Sequence, residues 1–318
     1  MAHEVPDYAQ HHRLMRHTSL RQLQIFESVA RNLSFTKAAE ELHLTQPTVS
    51  AQIKGLTEAV EMPLYEQIGR NIYLTDVGNE VALSCRVIMN TFANLEMALE
   101  DFRGKLRGRL RVAVVTTAKY FAPLALGEFC KAYPEIDLEL HVANREKLYK
   151  RIEHNLDDLY IVGQVPQTHL DLEVYPFAPN PLVPIAHREH ALVGQRRISL
   201  KRFAKEPFLM RESGSGIRSV VEGQFHAQKL AINERLILDS NEAIKHAVAG
   251  GLGVSVVSQH ALNLESEDGP LAILDVEGFP IEREWNLVYP RGKSMSIISE
   301  AFFEFLREKG KTYLRLKR

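Results

Sequence analysis

Three things are scarce in this sequence. There are only two cysteines, Cys85 and Cys130. They fit no metal-ligand spacing and no disulfide framework, so they predict reduced thiols of a cytosolic protein and no metal centre. No run of about 18 apolar residues occurs, so no transmembrane helix is expected. The opening Met-Ala-His-Glu-Val-Pro-Asp has no apolar core, so no secretory signal is expected either. The third scarcity is charge of one sign. Thirty-nine Lys and Arg stand against 40 Asp and Glu, a formal net charge of −1. Residues 19–75 hold five basic residues (Arg21, Arg31, Lys37, Lys54, Arg70) against six acidic ones (Glu27, Glu40, Glu41, Glu58, Glu61, Glu66). The basic domain that usually marks a nucleic-acid binder is therefore missing. A case for such binding must come from pattern, with affinity gathered from more than one copy.

What is present fits two or three domains: 318 residues exceed one typical domain, and 45% hydrophobic with 25% charged residues is ordinary for a soluble chain. Residues 1–17, with four His and Pro6, predict a disordered arm. From Ser19 the period becomes helical: Leu20, Leu23, Ile25, Phe26, Val29 and Ala30 share one face. Ser34 suits the N-cap of a second helix carrying Ala38, Ala39 and Leu42. After His43-Leu44-Thr45 a third helix begins near Gln46, with Pro47 in its first turn and a stripe of Val49, Ile53, Leu56 and Val60. Two β-like runs, Leu64 to Gln67 and Ile72 to Leu74, flank a hairpin tip at Ile68-Gly69-Arg70-Asn71. Thr75 then caps a long helix expected to reach about Gly104, with Val77, Val81, Val87, Phe92, Leu95, Leu99 and Phe102 among its apolar positions. Such a stripe beside a small domain predicts a partner subunit.

Beyond a basic junction (Lys105, Arg107, Arg109, Arg111), strands and helices alternate, which predicts a largely parallel α/β sheet. The expected strands are Leu110–Val115, Asp137–Val142, Leu159–Val162, Leu182–Ala186, Phe208–Met210, Arg235–Leu238, Val254–Val257 and Glu284–Val288. Pro176 to Pro184 reads as a crossover between two subdomains, and Asp275 to Glu282 as the return strand.

The three-helix pattern is that of a helix-turn-helix, whose third helix enters the major groove. Its outward residues Gln46, Thr48, Ser50, Gln52 and Lys54 can bond base edges or phosphates, and Arg70 at the hairpin tip suits a narrow minor groove. Thr36 and Lys37 open the second helix, where they suit phosphate contacts; for Lys37 a solvated surface role is the alternative. In the α/β region, open sheets bind ligands beyond the carboxyl ends of their strands. Thr116, Thr117 and Lys119 follow the first strand and suit an anion, the alternative being helix capping. Arg211, Ser213, Gly214, Ser215 and Arg218 form a second turn, where glycine admits close backbone approach and the arginines can clamp a phosphate or carboxylate, the alternative being a plain connecting turn. Asn241 either caps the next helix or touches ligand.

The run Phe26-Glu27-Ser28-Val29-Ala30, then Ser34-Phe35-Thr36-Lys37-Ala38-Ala39-Glu40-Glu41-Leu42, then Leu44-Thr45-Gln46-Pro47-Thr48-Val49-Ser50 resembles the DNA-binding signature of LysR-type transcriptional regulators. So do Leu64-Tyr65-Glu66 and Leu74-Thr75-Asp76-Val77-Gly78. The resemblance covers residues 17–310. It implies an α/β protein with a winged helix-turn-helix (18–75), a linker and dimerisation helix (76–106) and a two-lobed, periplasmic-binding-protein-like effector domain (107–318; lobe I 107–179 and 281–318, lobe II 180–280). It also implies Gln46, Pro47, Thr48 and Ser50 as major-groove contacts and Arg70 as the wing contact. Ala51 departs from the pattern, standing where many members carry Arg or another long polar residue. Met15-Arg16-His17-Thr18-Ser19-Leu20-Arg21-Gln22-Leu23, Val115-Thr116-Thr117-Ala118-Lys119-Tyr120-Phe121-Ala122-Pro123 and Gly163-Gln164-Val165-Pro166 resemble the regulators of Calvin-cycle (RuBisCO) operons. That implies a small anionic metabolite as effector, with Gln164 among its contacts, a dimer of dimers on operator DNA, and RNA polymerase as a further partner. No cofactor is expected. The alternative is a LysR-type regulator of another metabolic pathway, and two other classes are disfavoured on the residues. A solute-binding protein for transport would need export, and an enzyme would need a base beside Ser213 or Ser215, where His226 and His246 are isolated.

Overall fold

The computed structural model describes residues 13–69, 71–101, 107–165, 170–266 and 268–314. The chain forms two compact units, Met1–Glu96 and Met97–Arg318.

In the first unit, helices α1 (Arg13–His17), α2 (Leu20–Asn32), α3 (Phe35–Glu41) and α4 (Gln46–Val60) precede a hairpin of β1 (Tyr65–Ile68) and β2 (Asn71–Leu74); α5 (Asp76–Asp101) follows, and its last residues, from Met97, belong to the second unit. The helix starts are written locally. The Ser19 hydroxyl accepts the Gln22 N–H at 3.2 Å while the Gln22 side chain accepts the Ser19 N–H at 2.9 Å, a reciprocal capping box. Ser34, Thr45 and Thr75 likewise accept N–H groups from Lys37, Thr48 and Gly78. Pro47 sits in the first turn of α4, where no N–H is required. Leu33 and His43 take left-handed φ of 46° and 53° and turn the chain sharply between helices. The core gathers Ile25, Phe26, Val29, Ala38, Ala39, Val49, Ile53, Leu56 and Leu64, with Ala82 and Cys85 of α5. Burial pushes the Cys85 thiol up to about 12, so it is inert at neutral pH.

One expectation changes here. The segment expected to be a disordered arm ends in a helix, α1, closed by Thr18, whose N–H and hydroxyl both donate to the Leu14 carbonyl at 2.9 and 2.6 Å; residues 1–12 lie outside the described residues. Arg70 at the hairpin tip also lies outside them, as do Phe102 and the expected helix end near Gly104.

Gly78 carries a steric demand. A Cβ there would stand 1.8 Å from the Leu64 carbonyl oxygen, a backbone atom that also accepts the Thr75 N–H. Gly78→Ala is therefore expected to destabilise the first unit by about 2 kcal/mol or more, read as a lowered midpoint in denaturant unfolding followed by circular dichroism.

The second unit has two lobes. Lobe I holds β3 (Gly108–Val115), β4 (Ile136–Ala143), β5 (Leu159–Val162), β6 (Leu172–Pro179) and β12 (Glu284–Pro290) in the order β4-β3-β5-β12-β6. Helices α6 (Ala122–Ala132), α7 (Arg145–Glu153) and α11 (Ile297–Tyr313) belong to it. Lobe II holds β7 (Leu182–His187), β8 (Phe208–Arg211), β9 (Glu234–Leu238), β10 (Ser255–Ser258) and β11 (Leu271–Ile273), with α8 (Leu200–Phe203), α9 (Gly216–Ala227) and α10 (Asn241–Ala249).

The expected largely parallel sheet is in fact mixed. β3 runs parallel to β4 and β5, but β12 is antiparallel to both β5 and β6. In lobe II β7 pairs antiparallel with β10 and β11, and only β8 and β9 are parallel. The cause of the misreading is burial: β7 and β10 are covered on both faces, so they read as the continuous apolar runs of parallel strands. The crossover is also shorter than expected. Pro176 to Pro179 belong to β6, and the return strand is β12, not Asp275 to Glu282. The lobes are joined where the Asn180 N–H donates to the Arg283 carbonyl at 2.7 Å, and Leu182 and Ile281 exchange two bonds of 3.0 Å.

Candidate functional site

Two places carry exposed chemistry. The first is α4. Gln46, Pro47, Thr48, Ala51 and Lys54 are exposed and Ser50 and Gln52 half-buried, while Val49, Ile53 and Leu56 face the core. A helix whose one face is fixed by packing presents its other face in a defined register. The Gln46 amide donates to the Ser50 hydroxyl at 3.1 Å, and the Thr45 and Thr48 hydroxyls are 2.8 Å apart. Thr36 and Lys37 are exposed at the start of α3, and Lys54 lies 4.0 Å from Glu58, a loose solvated pair.

The second place is the cleft between the lobes of the second unit. Three chain starts converge on it. The first is the 3-10 turn Thr116–Tyr120 after β3, in which no side chain caps the N–H groups. The second is α7, opened by Asn144, whose side chain accepts the Lys147 N–H at 3.0 Å. The third is α9, whose N-cap Ser215 makes no capping bond, leaving its hydroxyl and the first N–H groups to the cleft. Helix N-termini carry partial positive charge and unpaired donors, the ordinary recipe for anion binding. Gly214, at φ 84°, lets this turn approach the opposite lobe: a Cβ there would stand 3.0 Å from Glu146 Oε2.

Cationic side chains complete the cleft. Arg283 stands on the return crossing and donates to the Gly163 carbonyl. Burial, with Arg145 nearby, pulls it down to about 10. Arg145 bonds only the neutral Gln164 side chain, at 3.1 Å, and lies over the Tyr149 ring. Among the described residues neither arginine has an acidic partner. Arg211 is different: it is held by Glu212 at 2.8 and 3.0 Å and by Asn241. Asn180, 2% exposed, has its Oδ1 fixed by the Ser258 hydroxyl at 2.8 Å.

Of the residues singled out in sequence, the cleft is lined by Thr116, Thr117, Gln164, Arg211 and Ser215. Five others stand elsewhere. Lys119 turns to Glu242 at 3.8 Å. Arg218 is spent on Glu222, Glu234 and the Arg211 carbonyl. Asn241 is buried against Arg211, and Ser240 rather than Asn241 caps α10. Ser213 is exposed and outside the lining, and Gly214 acts by close approach rather than contact. Sequence reading missed Asn144, Arg145, Asn180 and Arg283. Arg145 was reachable, since a strand followed by an Asn N-cap is the same grammar as the Thr116 turn. Arg283 has no local signal.

A helix-turn-helix with an exposed polar face, joined in one chain to a two-lobed domain with a cationic cleft, defines a ligand-responsive DNA-binding regulator. Comparison with known proteins gives the family. Residues 20–79 match the bacterial regulatory helix-turn-helix protein, lysR family, and residues 103–311 match the LysR substrate binding domain. The chain is 48% identical to the HTH-type transcriptional activator CmpR of Synechocystis over 92% of this chain and 96% of that protein. It is 44% identical to the RuBisCO operon transcriptional regulator of Acidithiobacillus ferrooxidans over 92% and 94%. The solved regulatory domain of Synechocystis CcmR, in complex with 2-PG, is 48% identical, covers 64% of this chain and 97% of its own, and superposes with a TM-score of 0.62. The chain belongs to the LysR family of transcriptional regulators, and within it resembles the Calvin-cycle group. It is a sequence-specific DNA-binding regulator, not an enzyme. Among the described residues no helix is long and apolar enough to cross a membrane.

Proposed function

We propose that this chain controls carbon-fixation genes in the cytoplasm and senses a small phosphorylated acid, 2-phosphoglycolate or one of like size, in the cleft. The observation that carries the reading is Arg283, a cation on the crossing between lobes with no carboxylate beside it among the described residues. A partly desolvated cation without a counter-charge is costly, and an anionic ligand supplies the missing partner. Arg145, Thr116, Thr117, Ser215, Gln164 and Asn180 would complete its shell with charge-assisted and neutral hydrogen bonds. Relatives named for CmpR and the RuBisCO operon support the gene class, and the 2-PG complex of CcmR supports the ligand.

Because Arg283 and Asn180 stand on the segments joining the lobes, a ligand bound there favours one lobe arrangement over another. On the DNA side, Gln46, Thr48, Ser50 and Gln52 would read bases, with Thr36, Lys37, Lys54 and Arg70 on phosphates or in the minor groove. The about half-exposed Val87, Phe92, Leu95 and Leu99 of α5 support pairing of two chains along this helix. Two such pairs, a dimer of dimers, would then occupy two half-sites, with RNA polymerase as a further partner.

Trp285, the single tryptophan of the chain, lies under the cleft: a Cβ on Gly163 would be 3.5 Å from its ring. Adding 2-phosphoglycolate is expected to change Trp285 fluorescence saturably, with inorganic phosphate competing. A flat titration contradicts the ligand assignment.

A further inference from the structure

The turn after β3 faces two ways. Its first residues, Thr116 and Thr117, line the cleft. Further on, Tyr120 leaves its own lobe and packs against the lobe II cluster of Val183, Ile185, Leu209, Ile244 and Val257. The next residue, Phe121, is buried in lobe I against Trp285. The Tyr120 hydroxyl donates to Glu242 Oε1 at 2.5 Å, and Lys119 adds a weaker contact to the same oxygen at 3.8 Å. Glu242 Oε2 is held by Lys245 at 3.0 Å. That lysine is 6% exposed and donates also to Glu265 at 2.6 Å and the Ala261 carbonyl at 3.0 Å. Glu242 is therefore fixed within lobe II before Tyr120 reaches it. One residue back, Asn241 accepts from Arg211, which lines the cleft. The path from Thr116 through Tyr120, Glu242 and Asn241 to Arg211 starts and ends in the cleft and crosses between the lobes at the Tyr120–Glu242 bond, flanked by the weaker Lys119 contact and by Lys245 over the Tyr120 ring.

We propose that Tyr120 and Glu242 are positioning residues for the effector: their bond is a strut that sets the spacing at which Thr116 and Thr117 of lobe I face Arg211 and Ser215 of lobe II. The inference rests on the reading that the cleft binds a phosphorylated acid. Neither residue lines the cleft, and Tyr120→Phe alters no charge, so any effect on affinity is transmitted through spacing.

The test uses the full-length chain, with 2-phosphoglycolate as probe, by calorimetry and Trp285 fluorescence. Tyr120→Phe and Glu242→Ala are each expected to weaken binding about tenfold, the scale of one hydrogen bond to a charged group, while the unliganded thermal stability of Tyr120→Phe changes little. The double variant is expected to bind no more than about tenfold more weakly than the wild type, because both changes remove the same bond. A merely structural role would instead lower thermal stability and leave affinity intact. Wild-type affinity in Tyr120→Phe, or independent losses that multiply to about a hundredfold in the double variant, overturns the strut. If the wild type binds neither 2-phosphoglycolate nor inorganic phosphate, the cleft reading fails first and the strut falls with it. Binding in the wild type that persists unchanged in both single variants sinks the strut alone.

Discussion

Replacing Gln46 and Ser50 together by Ala is expected to lower operator affinity about a hundredfold, since the two side chains proposed to read bases, at about 1–3 kcal/mol each, are lost. The fold should not follow. Gln46 is exposed, Ser50 half-buried, and their mutual bond is at the surface, so unfolding stability should change by no more than about 0.5 kcal/mol. The loss should also be selective. Affinity for unrelated duplex rests on phosphate contacts and should fall much less. Lys54→Ala is the counterpart: it should weaken all duplexes alike and flatten the salt dependence by about 0.9 for the one phosphate contact removed. Gel shifts on operator and scrambled duplex across a salt series separate the two. Equal losses on both duplexes for the Gln46 and Ser50 variant would mean that α4 does not read sequence.

The second large effect belongs to Arg283. Arg283→Met should cost about a hundredfold in affinity for 2-phosphoglycolate, because a charge-assisted contact is worth about 1.5–3 kcal/mol. Arg283→Lys keeps the charge but not the planar pair of donors and should recover only part of it. The unliganded chain should lose no more than about 1 kcal/mol of stability, since the substitution removes one bond, to the Gly163 carbonyl, and with it a cation that has no acidic partner among the described residues. Calorimetric titration beside a thermal melt checks both halves. A stability loss with unchanged ligand affinity would make Arg283 a structural tie between crossing strands instead.

The difference between these two sites explains what was legible in sequence. The DNA-reading unit is local. Each helix start is announced by Ser19, Ser34, Thr45 or Thr75, each of which accepts an N–H three residues on. The buried stripe of Val49, Ile53 and Leu56 fixes which face of α4 is outward. Position along the chain therefore gives position on the surface. The cleft is not local. Thr116 and Ser215 could be found because each follows an apolar strand and opens a turn or helix. Arg283 stands in an irregular segment and reaches Gly163 across 120 residues of chain. It is brought there only because β12 inserts antiparallel between β5 and β6, a pairing that no local pattern announces. Lys119 and Arg218 failed for the converse reason. They sit in the right turns, but Glu242 for the one, and Glu222 and Glu234 for the other, claim their charge, and those acids come from other parts of lobe II or from the next turn of the same helix.

The most direct measurement is a selection from a pool of randomised duplexes by the full-length chain, run with and without 2-phosphoglycolate and then sequenced. The account predicts enrichment of one two-half-site sequence over the pool by about a thousandfold or more, with the preferred half-site spacing or the fraction bound shifting when the acid is present. A pool that emerges with its starting composition, or an enriched sequence indifferent to Gln46→Ala and Ser50→Ala, would contradict it.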